Sequence, residues 1–352
     1  MKRPARRRIE VGLLGATGMV GQQFAALLDR HPWFRLTWLA ASERSTGKRY
    51  GEIPWRLASA MPDAASKMTI EEPEPRKAPN VVFSALDASV AGEIEAEFAA
   101  AGHIVVSNAR NHRMDPVVPL LIPEVNPEHL GILRAQKKAK GWRGALVTNP
   151  NCSTIFLAMA LAALRELEPR RVVVTTMQAL SGAGHPGVAS LDALGNVIPF
   201  ISGEEEKIEN ETRKILGRIC GETFAPAAIA ISAQATRVPV LNGHTEAVSV
   251  GFSERVSTEE IREAFRKFSG KPQELGLPSA PSAAIVYNDA ADRPQPRLDA
   301  ERFGGMAVQT GRLRPCPVMG HKFVLLGHNT IRGAAGAAIL NAELMRAEGV
   351  IQ

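Results

Sequence analysis

The 352-residue chain has few cysteines, few aromatic residues and no long apolar run. Its three cysteines, Cys152, Cys220 and Cys316, are odd in number, widely spaced and free of a C-x-x-C motif, which argues against a disulfide framework or a structural zinc site. Its eight histidines lack the short spacing of metal ligands. No run of about 18 apolar residues indicates a transmembrane helix, and no secretory signal is recognisable. We therefore expect a cytoplasmic protein with no metal and no membrane partner.

The net charge of +6 is concentrated at the N-terminus. Five of the 42 Lys and Arg residues lie in residues 1–8, and the remaining 37 nearly balance 36 Asp and Glu residues. We interpret residues 1–8 as a solvated tail, with a nucleic-acid-binding arm as the alternative. The neutral body predicts no nucleic-acid partner.

The first 150 residues alternate between predicted strands and predicted helices. Helices are indicated from Met19 to Leu28 and over residues 88–101 by apolar periodicity. The apolar runs that predict strands cover residues 9–15, 34–41, 81–85 and 103–107. This alternation is typical of βαβ units, so we predict an α/β, Rossmann-like domain with a parallel sheet over residues 1–151.

After Cys152 the regular alternation ends. A long apolar helix through Ile155 and Leu167 is followed by strands that long Gly- and Pro-containing connections separate, and one amphipathic helix over residues 258–269. The predicted strands cover residues 172–180, 247–252, 306–314 and 322–327. We predict an α+β domain with a mixed, largely antiparallel sheet over residues 152–328. Residues 329–352 are expected to return to the first domain through a final helix.

A glycine-rich turn, GLLGATGMVG, joins the first strand to the first helix over residues 12–21. It departs from the usual G-x-G-x-x-G pattern, but its position suits a dinucleotide pyrophosphate at a helix N-terminus. The alternative is a plain tight turn.

The segment after the second strand indicates which dinucleotide is used. An acidic residue there favours NAD, whereas this chain has Ser42, Glu43, Arg44 and Ser45. Hydroxyl and guanidinium groups suit a 2′-phosphate, so NADP is predicted. Because Glu43 is acidic, use of both NAD and NADP stays open. A polar loop after the strand, with no role in cofactor binding, would have a similar sequence.

Cys152 follows Asn151 at the start of an apolar helix. Asn151 is a plausible N-cap, which places Cys152 in the first turn, where the helix dipole favours a thiolate. The exposed N–H groups could also stabilise an oxyanion. The alternative, a small buried residue, describes Cys220 and Cys316 better.

A reactive thiol needs a proton acceptor, and an anionic substrate needs cations. His244, between two apolar strands, is the candidate acid and base, although a lone histidine is usually structural. Arg113, Lys207 and Arg237 are the candidate cations, each of which could equally be a surface charge.

Taken together, these segments resemble the aspartate-β-semialdehyde dehydrogenase family over nearly the whole chain, most closely its archaeal and fungal branch. The segments that carry the resemblance are residues 15–22 (GATGMVGQ), 41–52 (ASERSTGKRYGE), 107–114 (SNARNHRM), 119–130, 149–154 (NPNCST), 178–187 (QALSGAGHPG), 203–216, 237–248 (RVPVLNGHTEAV), 292–299, 305–314 and 327–336.

The resemblance implies an NADPH-dependent oxidoreductase that converts L-aspartyl 4-phosphate to aspartate 4-semialdehyde, in the biosynthesis of lysine, threonine and methionine. It implies a homodimer or homotetramer in which the second domain forms the interface. The implied catalytic residues are Cys152 as the nucleophile, His244 as the acid and base, and Gln178, which orients the acyl group. The implied substrate residues are Arg113 and Lys207 for phosphate, Arg237 for the α-carboxylate and Glu204 for the α-amino group. The implied cofactor residues are Gly15, Thr17, Gly18, Met19, Val20, Ser181, Gly182 and Asn329, besides Ser42, Arg44 and Ser45.

Two kinds of alternative stay open at this point. A malonyl-CoA or succinyl-CoA reductase, or an N-acetylglutamyl-phosphate reductase, would use the same cysteine on the same scaffold. A non-catalytic dinucleotide-binding regulator would bind the cofactor without turnover.

Overall fold

The computed structural model describes residues 8–352, which form two six-stranded sheets and a separate two-stranded ribbon. The first sheet has the order β3-β2-β1-β4-β5-β6, and every neighbouring pair is parallel. Its strands are β1 (Ile9–Leu14), β2 (Phe34–Ala40), β3 (Ile70–Glu71), β4 (Val81–Ser84), β5 (Ile104–Ser107) and β6 (Ala145–Thr148). The helices that accompany it are α1 (Met19–Leu28), α2 (Asp63–Ser66), α3 (Ala88–Ala101) and α4 (Leu133–Lys140). The predicted Rossmann-like sheet is confirmed.

The order of this sheet fixes the place of the glycine turn. β1 is central, and its interior residues Val11 and Leu13 are fully buried. The chain runs to one side of β1 through β2 and to the other side through β4, so a crevice opens at the carboxyl ends of β1 and β4. The turn after β1 faces this crevice. Of the predicted basic tail, residues 1–7 lie outside the described part of the chain.

The second sheet has the order β10-β7-β11-β14-β13-β12. Three of its five neighbouring pairs are antiparallel and two are parallel, which confirms the predicted mixed sheet. The strands of this half of the chain are β7 (Pro169–Gln178), β8 (Arg218–Cys220), β9 (Thr223–Ala225), β10 (Ala230–Arg237), β11 (His244–Phe252), β12 (Ile285–Asn288), β13 (Val308–Cys316) and β14 (Gly320–Gly327). Its helices are α5 (Cys152–Ala163), α6 (Ser190–Ala193), α7 (Glu204–Ile215), α8 (Thr258–Lys267), α9 (Lys271–Glu274) and α10 (Pro296–Asp299).

Three features of this half differ from the sequence prediction. The predicted strand over residues 247–252 begins three residues earlier, at His244, and β8, β9, β10 and β12 were not predicted. β12 lies in the long connection between the predicted helix over residues 258–269 and the predicted strand over residues 306–314. The long apolar helix ends at Ala163 because a 3₁₀ turn follows.

The chain ends in a π-helix, Ile331–Ala335, which continues into α11 (Gly336–Ala347). Residues of α11, among them Ile339 and Leu344, are buried in the same apolar cluster as Val11 and Phe24 of the first unit. The C-terminal helix therefore packs against the first unit. Across residues 8–352, no helix is both long and apolar enough to span a membrane.

Candidate active site

A cavity of about 590 Å³ runs from the glycine turn to Cys152. It brings residues of both units together, since the turn after β1 and the N-terminus of α5 form opposite parts of its wall. The predicted site residues that line it are Gly15, Thr17, Gly18, Met19, Val20, Ser42, Arg113, Cys152, Ser181, Gly182 and Asn329.

The glycine turn has the backbone that a pyrophosphate site needs. Gly15 has a φ of +74°, and a Cβ on it would lie 2.5 Å from the carbonyl oxygen of Ala85. A Cβ on Gly18 would meet only one atom, at 3.7 Å, so Gly18 faces open space. No side chain of the described residues caps α1 at Gly18, which leaves its first N–H groups available to an anion.

A second cavity, of about 580 Å³, adjoins the first through Ser42. Ser42, Glu43 and Arg44 line it, whereas Ser45 lines neither cavity. The amide of Ser45 instead donates to the carbonyl of Ser42 at 2.9 Å and closes the turn. The role of Ser45 at the cofactor stays a prediction.

Cys152 occupies the first turn of α5, as predicted. The side chain of Asn151 accepts hydrogen bonds from the N–H groups of Ser153 at 3.0 Å and Thr154 at 3.2 Å. Gly333 of the π-helix packs on the other side, where a Cβ would lie only 2.7 Å from the Cβ of Cys152. Cys152 therefore lies between a capped helix start and a close glycine.

The packing and charge around Cys152 oppose the thiolate that its position at a helix N-terminus favours. Burial, with the nearby carboxylate of Glu204, raises the pKa of the Cys152 thiol to about 12. Arg113, Arg237 and the N–H of Ser153 act in the opposite direction, but they do not outweigh burial. The helix terminus favours the thiolate locally, and the surrounding protein overrides it.

His244 is fully buried, and its Nδ1 accepts a hydrogen bond from the N–H of Ala179 at 2.9 Å. Burial, reinforced by Arg237, lowers its pKa to about 3, so the ring is neutral and its proton lies on Nε2. Nε2 has no hydrogen-bond partner within the described chain. It faces Gly182, whose added Cβ would lie 2.9 Å away. The ring is arranged to donate a proton through Nε2, so the predicted role as acceptor of the thiol proton does not fit this tautomer.

The carboxylate of Glu204 connects three of the candidate residues. Its Oε1 accepts from Asn151 Nδ2 at 2.6 Å and from Gln178 Nε2 at 3.1 Å, and its Oε2 accepts from Lys207 Nζ at 3.0 Å. Burial alone would raise the pKa of Glu204, but the Lys207 ammonium and these hydrogen bonds hold it below its usual value. Lys207 is thus half-buried and paired with Glu204 in the ligand-free geometry.

The two arginines are also buried and held by the backbone. Arg113 donates from Nη2 to the carbonyl of Asn108 at 2.8 Å, and Arg237 donates from Nη1 to the carbonyl of Ala179 at 2.7 Å. Burial lowers the pKa of Arg237, although the guanidinium stays charged. Ala179 therefore orients His244 with its N–H and Arg237 with its carbonyl. Neither arginine is the surface charge that was the alternative.

Glu211, a buried carboxylate on α7, was not among the predicted site residues. Its Oε1 accepts from Arg113 Nη1 at 3.0 Å, and its Oε2 accepts from the backbone N–H of Asn151 at 2.7 Å. Its spacing of seven residues from Glu204 places both on one face of the helix, a signal that was available in the sequence.

Arg332 and Gly333 in the π-helix were also not among the predicted site residues. Arg332 is fully buried and pairs with Glu124 at 2.6 Å, which anchors the segment that contacts Cys152. Nothing local in the sequence predicts this pairing. No group of three candidate metal ligands occurs in residues 8–352. All three cysteines are free, and Cys220 is exposed rather than buried.

Comparisons with known proteins agree with this arrangement. The model of the semialdehyde dehydrogenase NAD binding domain matches residues 10–132, and that of the semialdehyde dehydrogenase dimerisation domain matches residues 161–332. The aspartate-semialdehyde dehydrogenase of Archaeoglobus fulgidus is 52% identical over 98% of this chain and 100% of its own length. That of Cryptococcus neoformans is 50% identical over 99% of each chain.

The solved structures include an aspartate semialdehyde dehydrogenase with NADP from Candida albicans. It superposes with a TM-score of 0.91 at 42% identity and covers 97% of this chain and 100% of its own. A second structure, aspartate semialdehyde dehydrogenase II from Vibrio cholerae, has a TM-score of 0.77 at 26% identity, with 97% and 99% coverage. By fold, site and sequence, the chain belongs to the semialdehyde dehydrogenase family.

Proposed function

We propose that this chain is an aspartate-semialdehyde dehydrogenase, which reduces L-aspartyl 4-phosphate to aspartate 4-semialdehyde with NADPH through a thioester on Cys152. One observation carries the proposal. A thiol at a helix N-terminus shares a single cavity with a dinucleotide-type glycine turn, and a buried carboxylate and two buried arginines lie close enough to the thiol to influence its pKa. The relatives that carry this name support the choice of substrate, since they match over nearly the full length.

The charges of the site complement those of the substrate. We assign Arg113 and Lys207 to the phosphate, Arg237 to the α-carboxylate and Glu204 to the α-ammonium group. Because Glu204 and Lys207 form an ion pair at 3.0 Å, each would exchange this partner for a group of the substrate. We assign Gln178, whose Nε2 donates a hydrogen bond to Glu204, to the acyl group of the substrate.

The chemistry then follows from the positions of the groups. The thiol of Cys152 attacks the acyl carbon and gives its proton to an oxygen of the departing phosphate. The carbon–sulfur bond forms, and phosphate leaves with the electrons of the broken carbon–oxygen bond. When bound, NADPH would supply the hydride that reduces the resulting thioester. His244 donates a hydrogen bond through Nε2–H to the oxygen that gains negative charge, and the first N–H groups of α5 assist. The aldehyde forms as the sulfur leaves.

The residues present fit NADP. The glycine turn gives space and free N–H groups to the pyrophosphate. Ser42 lies where the two cavities meet and Arg44 lines the second cavity, and we assign both to the 2′-phosphate. We assign Thr17, Met19, Val20, Ser181, Gly182 and Asn329 to the rest of the cofactor. Asn329 is preset by hydrogen bonds with Ser181 at 2.8 Å and with the N–H of Gly243 at 2.9 Å.

We further propose a cytoplasmic homodimer, in which residues 152–328 provide the interface, residues 1–151 bind NADP and residues 329–352 return to them. A reducing compartment suits the free thiol of Cys152. The match to a dimerisation domain supports the interface, and pairing of dimers into a tetramer is a further possibility to be measured by light scattering.

The experiment is NADP reduction by the purified protein with aspartate semialdehyde, with and without phosphate. We expect turnover that requires phosphate and is lost by orders of magnitude in Cys152→Ser, which should still bind NADP. NADPH oxidation with malonyl-CoA or succinyl-CoA alone would instead indicate a CoA-thioester reductase. Cofactor binding without turnover on any of these substrates would reject the proposal.

A further inference from the structure

One face of α7 carries four charged residues that lie at the candidate active site. Glu204, Lys207, Glu211 and Lys214 are spaced three, four and three residues apart, which places them on a common face. The proposed function uses Glu204 and Lys207. Glu211 and Lys214 are buried and have no role in it.

Glu211 joins two structures that the reaction depends on. Its two carboxylate oxygens accept one hydrogen bond each, from Arg113 Nη1 at 3.0 Å and from the backbone N–H of Asn151 at 2.7 Å. Asn151 is the residue that caps the helix of Cys152. Both hydrogen bonds involve a buried charge, so they are stronger than ordinary hydrogen bonds.

Lys214 holds the same region from its other end. Its Nζ donates to the carbonyl oxygens of Arg113 at 2.7 Å, Asp115 at 2.8 Å and Val118 at 2.8 Å. The side chain of Arg113 is therefore fixed by Glu211 and its main chain by Lys214. α7 sets the position of Arg113 relative to Cys152.

We propose that Glu211 is a positioning residue, which fixes the proposed phosphate-binding Arg113 and the turn before Cys152 in one geometry. The inference rests on the proposed function for the role of phosphate. A positioning role differs from a purely electrostatic effect, because it requires both carboxylate oxygens of Glu211 to stay within hydrogen-bond distance of their donors. A positioning role also differs from a general structural role, because its loss changes kcat and the phosphate KM rather than the stability of the fold.

Three variants separate these explanations. Glu211→Asp keeps the charge but withdraws the carboxylate by about 1.5 Å, the length of one carbon–carbon bond. Glu211→Gln keeps the shape but presents an NH₂ group to one of the two donors. Glu209→Gln is the matched control, because Glu209 lies on the same helix and accepts a backbone N–H, that of Ala233, at 2.9 Å, on β10 rather than beside Cys152.

The assay measures kcat and the phosphate KM for phosphate-dependent NADP reduction, with melting curves for each variant. We expect both Glu211 variants to lose kcat by about 10-fold to 100-fold and to raise the phosphate KM, while Glu209→Gln changes neither. A normal Glu211→Asp with a lowered phosphate KM in Glu211→Gln would show that only the charge matters. Variants that melt earlier but keep kcat per folded molecule would show a structural role only. Either result overturns the proposal.

A substrate-independent measurement keeps the test separate from the proposed function. If the unaltered protein does not turn over aspartate semialdehyde, the proposed function fails, and the rate of Cys152 alkylation by iodoacetamide then tests the positioning role. We expect Glu211→Asp, in which the charge is unchanged, to alter that rate at least about threefold relative to Glu209→Gln. Equal rates would overturn the inference, and Glu211→Asp alone suffices if Glu211→Gln fails to fold.

Discussion

Replacement of Gly333 by alanine should impair catalysis through a displacement of Cys152. A Cβ on Gly333 would lie 2.7 Å from the Cβ of Cys152, 3.1 Å from its Cα and 3.5 Å from its carbonyl oxygen. Carbon atoms in contact prefer about 3.5–4.0 Å, so one of the two segments must move by about 1 Å. The residues after Cys152, Ser153 and Thr154, are fully buried, and the π-helix is anchored by Arg332, so neither segment has free space.

The expected effect is a fall in kcat of about 100-fold, the size that a misplacement of 1 Å can cause. Overpacking of this kind costs about 1–3 kcal/mol of stability, which leaves the protein folded. The assay is phosphate-dependent NADP reduction, with NADP affinity measured in parallel because Gly333 also lines the cavity. Gly131→Ala is the control, since a Cβ there would meet its nearest atom, on Ile219, at an ordinary 3.5 Å. A folded Gly333→Ala protein with kcat within about threefold of the parent would refute the claim that the position of this thiol limits the reaction.

Three further predictions follow from burial and charge. Because the pKa of the Cys152 thiol is raised to about 12, its alkylation in the ligand-free protein should accelerate about tenfold per pH unit from pH 7 to 10, and a plateau in this range would contradict that pKa. Glu246 is fully buried, its pKa is raised well above the usual value, and its carboxylate has no partner in the described chain. Above pH 4.5 the unfolded chain ionises this group while the folded protein keeps it protonated, so stability falls as pH rises. Glu246→Gln should therefore raise the melting temperature more at pH 8 than at pH 5, and an equal change at both would be inconsistent with a neutral carboxyl. Arg44→Ala should weaken NADP binding far more than NAD binding in titrations, and equal weakening would remove the 2′-phosphate role.

The parts of the molecule that the sequence predicts well are those that local patterns determine. Four of the six strands of the first sheet and the helices α1 and α3 follow from apolar runs and periodicity, and α3 matches its predicted bounds at Ala88 and Ala101. The strands β3 and β6 were not predicted. In the second unit, β10 was missed because its sequence, AISAQATR, is rich in alanine and polar residues, with little of the β-branched pattern of a strand. Its strand conformation depends on pairing with β7.

The protonation states could not be predicted, because distant parts of the chain decide them. The N-terminal position of Cys152 in its helix indicates a thiolate, yet the protein packed around the sulfur has the larger effect. The tautomer of His244 depends on the N–H of Ala179, which is 65 residues away in sequence. The positions of the candidate residues were thus easier to predict than their protonation states.

The contacts of α7 imply that the site exists only when the two units are docked. Arg113 and Asn151 belong to the first sequence unit, whereas Glu211 and Lys214 belong to the second and reach Arg113 from 98 and 101 residues away. Without α7, the guanidinium of Arg113 would lose its buried counterion, and the N–H of Asn151 would lose its acceptor. Burial in this contact lowers the pKa of Lys214 to about 8, a cost that only the three carbonyl acceptors and the neighbouring carboxylates offset. Glu211 and Lys214, which hold Arg113, therefore also belong to the contact between the two units. A change that separates the units would also change the geometry of the site.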